Sequence, residues 1–231
     1  MLESLLAGAL GARFAADLID QWPLIAAGLG QTVLLASLMS VTGLAWGIVV
    51  FRLTTSRNAI VRRLTQAYVS FFIGMPLIVL LFLMYYGLPQ WGVQVSPFTV
   101  ALVGFTLNVG AYNAGYLTTA YNGLDREELE AAHAQGFSHG QVFRLLVLPQ
   151  VLRLSVPALT NQVILNVKDS TVAFLIQYTE FFARMQELAS TNFQFLKAYV
   201  VAALVYLALV SLIVLAARWL ERRVAITVAR G

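Results

Sequence analysis

Two apolar runs of the chain carry polar side chains that a lipid-facing helix would avoid. One holds Asn108, Tyr112 and Asn113; the other holds Asn161, Gln162 and Asn166, followed by Lys168 and Asp169. Amides and a phenol offer donors and acceptors to a polar solute, so the chemistry they suggest is recognition and passage rather than bond making. Asn108 and Tyr112 are four residues apart, as are Gln162 and Asn166, which puts each pair on one helical face. We expect these faces to meet around a polar translocation path. The competing reading is interhelical hydrogen bonding that fastens the bundle, and for a lone asparagine it is the better one. Lys168 and Asp169 are adjacent and so point about 100° apart on a helix. They need different partners, or the helix breaks there.

A second constellation lies in the polar segment Asn122 to Gln150. Asp125 can cap a helix, with Glu128 as its capping-box partner. Glu127 and Glu128 would then sit in the first turn, where the helix dipole favours negative charge. Leu129, Ala132, His133 and Gly136 follow at i, i+3, i+4 and i+7 as a small-residue stripe. Gly136 can end the helix. A second helical stretch runs through Val142, Leu145 and Leu146 to Pro149. A smooth face of this kind admits a close-fitting partner or packs on its own bundle, and periodicity leaves both open.

Catalytic chemistry finds no support. The sequence has no G-x-x-x-x-G-K-[ST] phosphate loop, no nucleophile elbow, no paired carboxylates and no His-Glu metal motif. With no cysteine and two histidines, thiolate and His-rich metal sites are excluded. We therefore expect no cofactor or metal bound by this chain, and no enzyme activity of its own.

The elements that must hold these residues are membrane helices. Of the 231 residues, 59% are hydrophobic and 11% charged, against about a quarter charged in soluble domains. A bilayer core takes about 20 apolar residues in a helix. Five candidate spans result, near 24–51, 67–88 (with Pro76 inside), 98–121, 151–176 and 198–219. Five spans divide the 15 basic residues eleven to four: eleven lie after the first span, between the third and fourth, and in the tail. The positive-inside rule makes that the cytoplasmic side. The N-terminus is then outside, the C-terminus inside, and the basic balance is a membrane anchor rather than a nucleic-acid patch. Residues 1–22 read as an external amphipathic segment at the interface, 23–220 as the membrane domain with its cytoplasmic segment at 122–150, and 221–231 as a cytoplasmic tail. Small residues recur in the first span (Gly28, Gly30, Ala36, Ser37, Ser40, Gly43, Gly47) and would let helices approach closely.

Glu130-Ala131-Ala132, then Gly136, Leu146 and Leu148-Pro149 resemble the EAA loop of ABC importer permeases, E-A-A-x3-G-x9-I-x-L-P, with Leu146 in place of Ile. Gly74-Met75-Pro76-Leu77 and Tyr86-Gly87-Leu88-Pro89 are similar to the second-helix pattern of the polar amino acid uptake branch. Ala111-Tyr112, Leu148-Pro149-Gln150, Pro157, Asn161 and Lys168-Asp169-Ser170-Thr171 match further stations, and the resemblance implies structural or gating roles for Pro76, Lys168 and Asp169.

The resemblance implies an all-α type I importer permease in a bacterial cytoplasmic (inner) membrane. It implies a cytoplasmic ABC ATPase dimer that uses ATP and Mg, a second permease subunit, identical or paralogous, and an extracytoplasmic solute-binding protein that delivers a small polar amino-acid-like substrate. Membrane lipid surrounds the bundle, and nucleic acid has no part. The EAA helix would dock in a cleft of the ATPase, through Glu130, Ala132 and Gly136. Many members of this family carry Glu where this chain has Gly115 and Gln162. Losing two carboxylates near the path leans away from arginine, lysine or histidine and leaves a neutral, acidic or modified amino acid. The competing function is an ATP-independent channel or secondary transporter, against which the EAA spacing argues. A membrane scaffold would not require amides at membrane depth.

Overall fold

The computed structural model describes the backbone of residues 11–228 and the side chains of residues 11–218. The described residues are helical, with no strand. In chain order the helices are α1 (Ala12–Asp20), α2 (Trp22–Thr54), α3 (Ala59–Gly74), α4 (Leu77–Phe82), α5 (Pro97–Asn122), α6 (Arg126–Ala134), α7 (His139–Val142), α8 (Leu148–Asp169), α9 (Phe181–Asn192) and α10 (Phe195–Val228). Single π-helical turns follow α4 (Leu83–Gly87) and α7 (Phe143–Val147), and 3-10 turns occupy Leu88–Trp91 and Ser170–Ile176.

Helices need apolar length to cross a bilayer, and three stretches have it: α2, the run His139–Ile176, and Phe195–Arg218 of α10. The expected second span is not one continuous helix. It is a bent pair, Ala59–Gly74 and Leu77–Trp91, that turns through 101°. Pro76 is the cause: its ring pushes the preceding residue out of the helical region, and Met75 is extended (ψ 130°). Counted as one, the pair makes a fourth span. The expected third span is the continuous α5, 26 residues long. It is not among the spans apolar enough by composition, because Asn108, Tyr112 and Asn113 dilute it. The α-helix of the fourth span ends at Asp169 and continues as a 3-10 turn, so the helix does change at the Lys168-Asp169 pair.

The chain forms two compact units. The first draws on Met1–Met39, Ile78–Gly104 and Ile164–Val214. Its core joins Phe14 and Leu18 of α1 with Ile25, Phe181, Met185, Leu188 and Ala198. Thus α1 turns its apolar face to protein, not to a lipid interface; Met1 to Leu10 of the expected amphipathic segment lie outside the described residues. Glu180, 0% exposed, ties this unit together. Its carboxylate caps α9 by accepting from the N–H groups of Phe182 (2.9 Å) and Ala183 (2.8 Å), and it also accepts from Thr32 Oγ1 (3.0 Å) and the Tyr206 hydroxyl (2.9 Å). Gly28 makes the close approach possible, since a Cβ there would stand 3.1 Å from the Glu180 carbonyl oxygen.

The second unit draws on Ser40–Leu77, Phe105–Val163 and Leu215–Gly231. Here α2 and α5 meet through glycines spaced as G-x-x-x-G, which lets two helix backbones approach. A Cβ on Gly43 would lie 2.5 Å from Val109 Cγ1, and one on Gly47 2.6 Å from Asn113 Cβ. Gly110 has no room for a Cβ against the Trp46 ring. Thr42 and Thr106 share a hydrogen bond of 2.7 Å across the same seam. The small residues of the first span therefore act as expected at Gly28, Gly43 and Gly47, whereas Gly30 faces open space. The tail expected at 221–231 begins inside α10, which runs on to Val228.

Candidate functional site

Within the segment 122–150 the helix α6 is held at both ends. Asp125 caps α6 by accepting from the Glu127 N–H at 2.9 Å. The reciprocal arm expected from Glu128 is absent; that carboxylate accepts instead from Gln150 Nε2 at 2.9 Å, which fastens α6 to the start of α8. At the other end Gly136 adopts φ +89°. The Gly136 N–H donates to His133 O (3.0 Å) and the Phe137 N–H to Ala132 O (3.2 Å), a Schellman ending that satisfies the last carbonyls. Two residues later Ser138 and Gln141 form a capping box for α7, a signal legible in S-H-G-Q but not drawn from the sequence.

The small-residue stripe divides by burial. Ala132 is buried in the unit's own core with Val50, Phe51, Ala114, Leu117, Val142, Val147 and Val151, and Leu129 packs beside it. Ala132 therefore seats α6 on the bundle and is not part of an exposed docking face, a correction to the expected surface. Glu130, Ala131 and Gly136 are exposed. Leu146, Leu148 and Pro149 are half-buried where the π turn hands over to α8. Phe143 anchors that turn: its ring lies 5.7 Å from Phe51, and the Arg52 guanidinium stands 4.8 Å above its centre.

The six expected path residues part company. Asn108 is a fastener: its Nδ2 donates to the Phe72 carbonyl at 2.8 Å. In a continuing helix that carbonyl would receive the N–H of residue 76, and Pro76 has none to give. Proline and asparagine, far apart in sequence, are thus one device. Asn113 is 2% exposed and packs on Gly47. Tyr112 is half-buried, Asn161 exposed, and Asn166 buried in the first unit. Gln162, 5% exposed, accepts from the Tyr116 hydroxyl at 3.3 Å. So α5 and α8 do meet through polar groups, one turn beyond Tyr112.

A cavity of about 480 Å³ with uncharged polar groups in a partly apolar wall opens elsewhere in the second unit. Thr54, Gln66, Ser70, Thr118 and Asn122 line it, with Gly115 on its wall. None of the six expected path residues does. Its groups are hydroxyls and amides with no ionisable carboxylate or cation, and a Cβ on Gly115 would meet nothing within 4 Å. Sequence reading missed these threonines because such hydroxyls commonly bond their own backbone, as Thr118 does to Ala114 O at 2.7 Å.

Residues 40–226 match the family model described as binding-protein-dependent transport system inner membrane component. The chain belongs to this family. It is 33% identical over 209 residues to PatM of Vibrio harveyi, a probable amino-acid ABC transporter permease, covering 89% of this chain and 94% of that one. It is 32% identical to TcyB of Bacillus subtilis, an L-cystine transport system permease, over 96% of both chains. Among solved structures, that of an amino acid ABC transporter with histidines superposes with a TM-score of 0.82 at 25% identity, over 90% of this chain and 97% of that one. The permease is accordingly an all-α inner-membrane protein of the type I importer fold, and a transport component rather than a catalyst.

Proposed function

We propose that this permease forms part of the path by which a polar amino acid or amino-acid derivative enters the cell, driven by a separate ATPase and fed by a solute-binding protein outside. Its path neighbour would be a second permease subunit, identical or paralogous. The ATP and Mg that drive it belong to the partner ATPase. The observation that carries the reading is α6. It is a short helix, capped at both ends, hydrogen-bonded to α8 and cored into the second unit through Ala132, with Glu130 and Ala131 left outward. A rigid lever of this kind transmits a partner's movement to the helices it is fastened to. The neutral lining beside Gly115 favours a cargo without net positive charge, since hydroxyls and amides can bond a zwitterion but offer no counter-ion to a side-chain cation.

The absence of cysteine permits a direct test of sidedness. Glu130→Cys should react with a membrane-impermeant maleimide only from the cytoplasmic side, and Trp91→Cys, 84% exposed, only from outside. Labelling of both from one side would overturn the proposed topology. Crosslinking of Glu130→Cys to the ATPase subunit tests the docking; a permease that assembles without that contact would contradict it.

A further inference from the structure

Behind α6, within the second unit, lies a cavity of about 480 Å³ whose ionisable lining carries no carboxylate. Arg52 and Arg57 come from the end of α2 and the turn after it, His133 from α6 and His139 from α7. Ser56 adds a hydroxyl to the same wall, while that of Thr55 donates to the Arg52 carbonyl at 3.0 Å. Arg62 reaches this turn as well, donating to the Ser56 carbonyl at 3.2 Å. Among the described residues the ion pair is Arg184–Glu187, so neither Arg52 nor Arg57 has a carboxylate partner there. The two histidine rings lie 4.3 Å apart between centroids.

Two guanidiniums that line one cavity with no counter-charge repel one another until an anion fills the space. Bidentate guanidinium geometry and an adjacent hydroxyl suit a tetrahedral oxyanion. Thr54 ends an apolar helix of 33 residues, long enough to end at headgroup level. Basic pockets at the cytoplasmic ends of membrane helices hold phosphate headgroups.

We propose that Arg52, Arg57, His133 and His139, with Ser56, form a site for a phosphate-bearing anion, supplied by the headgroup of an anionic phospholipid or by a soluble phosphate. An anion there bridges α2 to the helix that carries Glu130 and so stiffens the lever. The cavity itself does not depend on what α6 docks against, and the site stands or falls apart from that assignment.

The test is native mass spectrometry of the purified full-length subunit, first delipidated, then titrated with phosphatidylglycerol, with phosphatidylcholine, or with inorganic phosphate. We expect one tightly retained phosphatidylglycerol and no comparable phosphatidylcholine. Arg57→Gln and His139→Gln alter exposed side chains and so spare the fold. Arg57→Gln should weaken retention about fivefold, the effect of one cation near a headgroup. Exposed Arg63→Gln, outside the lining, should leave it unchanged. If inorganic phosphate binds and phosphatidylglycerol does not, the site stands and its ligand is soluble. Absence of binding to either probe, or retention equally weakened by Arg57→Gln and Arg63→Gln, overturns the proposal.

Discussion

Gly136 separates two explanations for a glycine at the end of α6. At φ +89° it occupies the left-handed region, and a Cβ there would meet nothing within 4 Å. Within the subunit the only cost of a side chain is therefore backbone strain, about 1–2 kcal/mol for Ala and less for Asn, which tolerates this conformation. Each kcal/mol moves the melting temperature of a chain this size by about 2–4 °C. Stability should then rank Gly136 highest, Asn next and Ala lowest. If Gly136 also lies against an ATPase, added bulk and polarity matter more than strain, and coupled ATP hydrolysis should rank Ala above Asn and Asn above Asp. The two rankings cross. The assay is the melting temperature of the purified subunit for Ala, Asn and Asp variants, beside substrate-stimulated ATP hydrolysis by the assembled complex. Activity that follows the stability order, with Asn better than Ala, would refute the close contact and leave Gly136 as a helix ending alone.

Other outcomes follow from the packing. Asn108→Leu leaves the Phe72 carbonyl without a donor and should cost about 1–3 kcal/mol, read as a lowered melting temperature; an unchanged value would mean that the carbonyl finds another partner. Gly47→Val forces α2 from α5 at Asn113 and should destabilise by about 1–3 kcal/mol, whereas Gly30→Ala, in open space, should be tolerated in the same measurement. Glu180→Ala strands two hydroxyls and two backbone N–H groups and should reduce folded yield severely, at about 3–5 kcal/mol for a broken buried polar centre; folding at the wild-type level would remove Glu180 from its structural role. Gly115→Glu places a carboxylate on the neutral cavity and should shift substrate preference toward cationic amino acids, checked by competition in uptake assays.

Membrane character and the capped helix α6 were legible because both rest on local signals: apolar length, the Asp125 cap and the Gly136 ending. The glycine seam at Gly43 and Gly47 was legible as a seam, but not its partner Asn113. What escaped is long-range. The sequence shows Pro76 and Asn108 as two separate features, and nothing local says that one supplies the hydrogen bond the other removes. Glu180 reads as one carboxylate near a helix start, and its bonds to Thr32 and Tyr206 exist only once three helices converge. The cavity beside Gly115 takes its polar groups from threonines, a serine and amides that each look ordinary in sequence. Ala132 shows the limit of a stripe: periodicity identifies a face, while burial decides whether a partner or the protein's own core receives it.

The most direct measurement is ATP hydrolysis by the complex of this permease, its ATPase and its binding protein in nanodiscs, across a panel of amino acids. Stimulation by a polar amino acid without net positive charge is expected, and it should be lost when Gly136 is replaced by Asp. A folded, complete complex that never hydrolyses ATP, or hydrolyses it at one rate whatever amino acid is present, would contradict it.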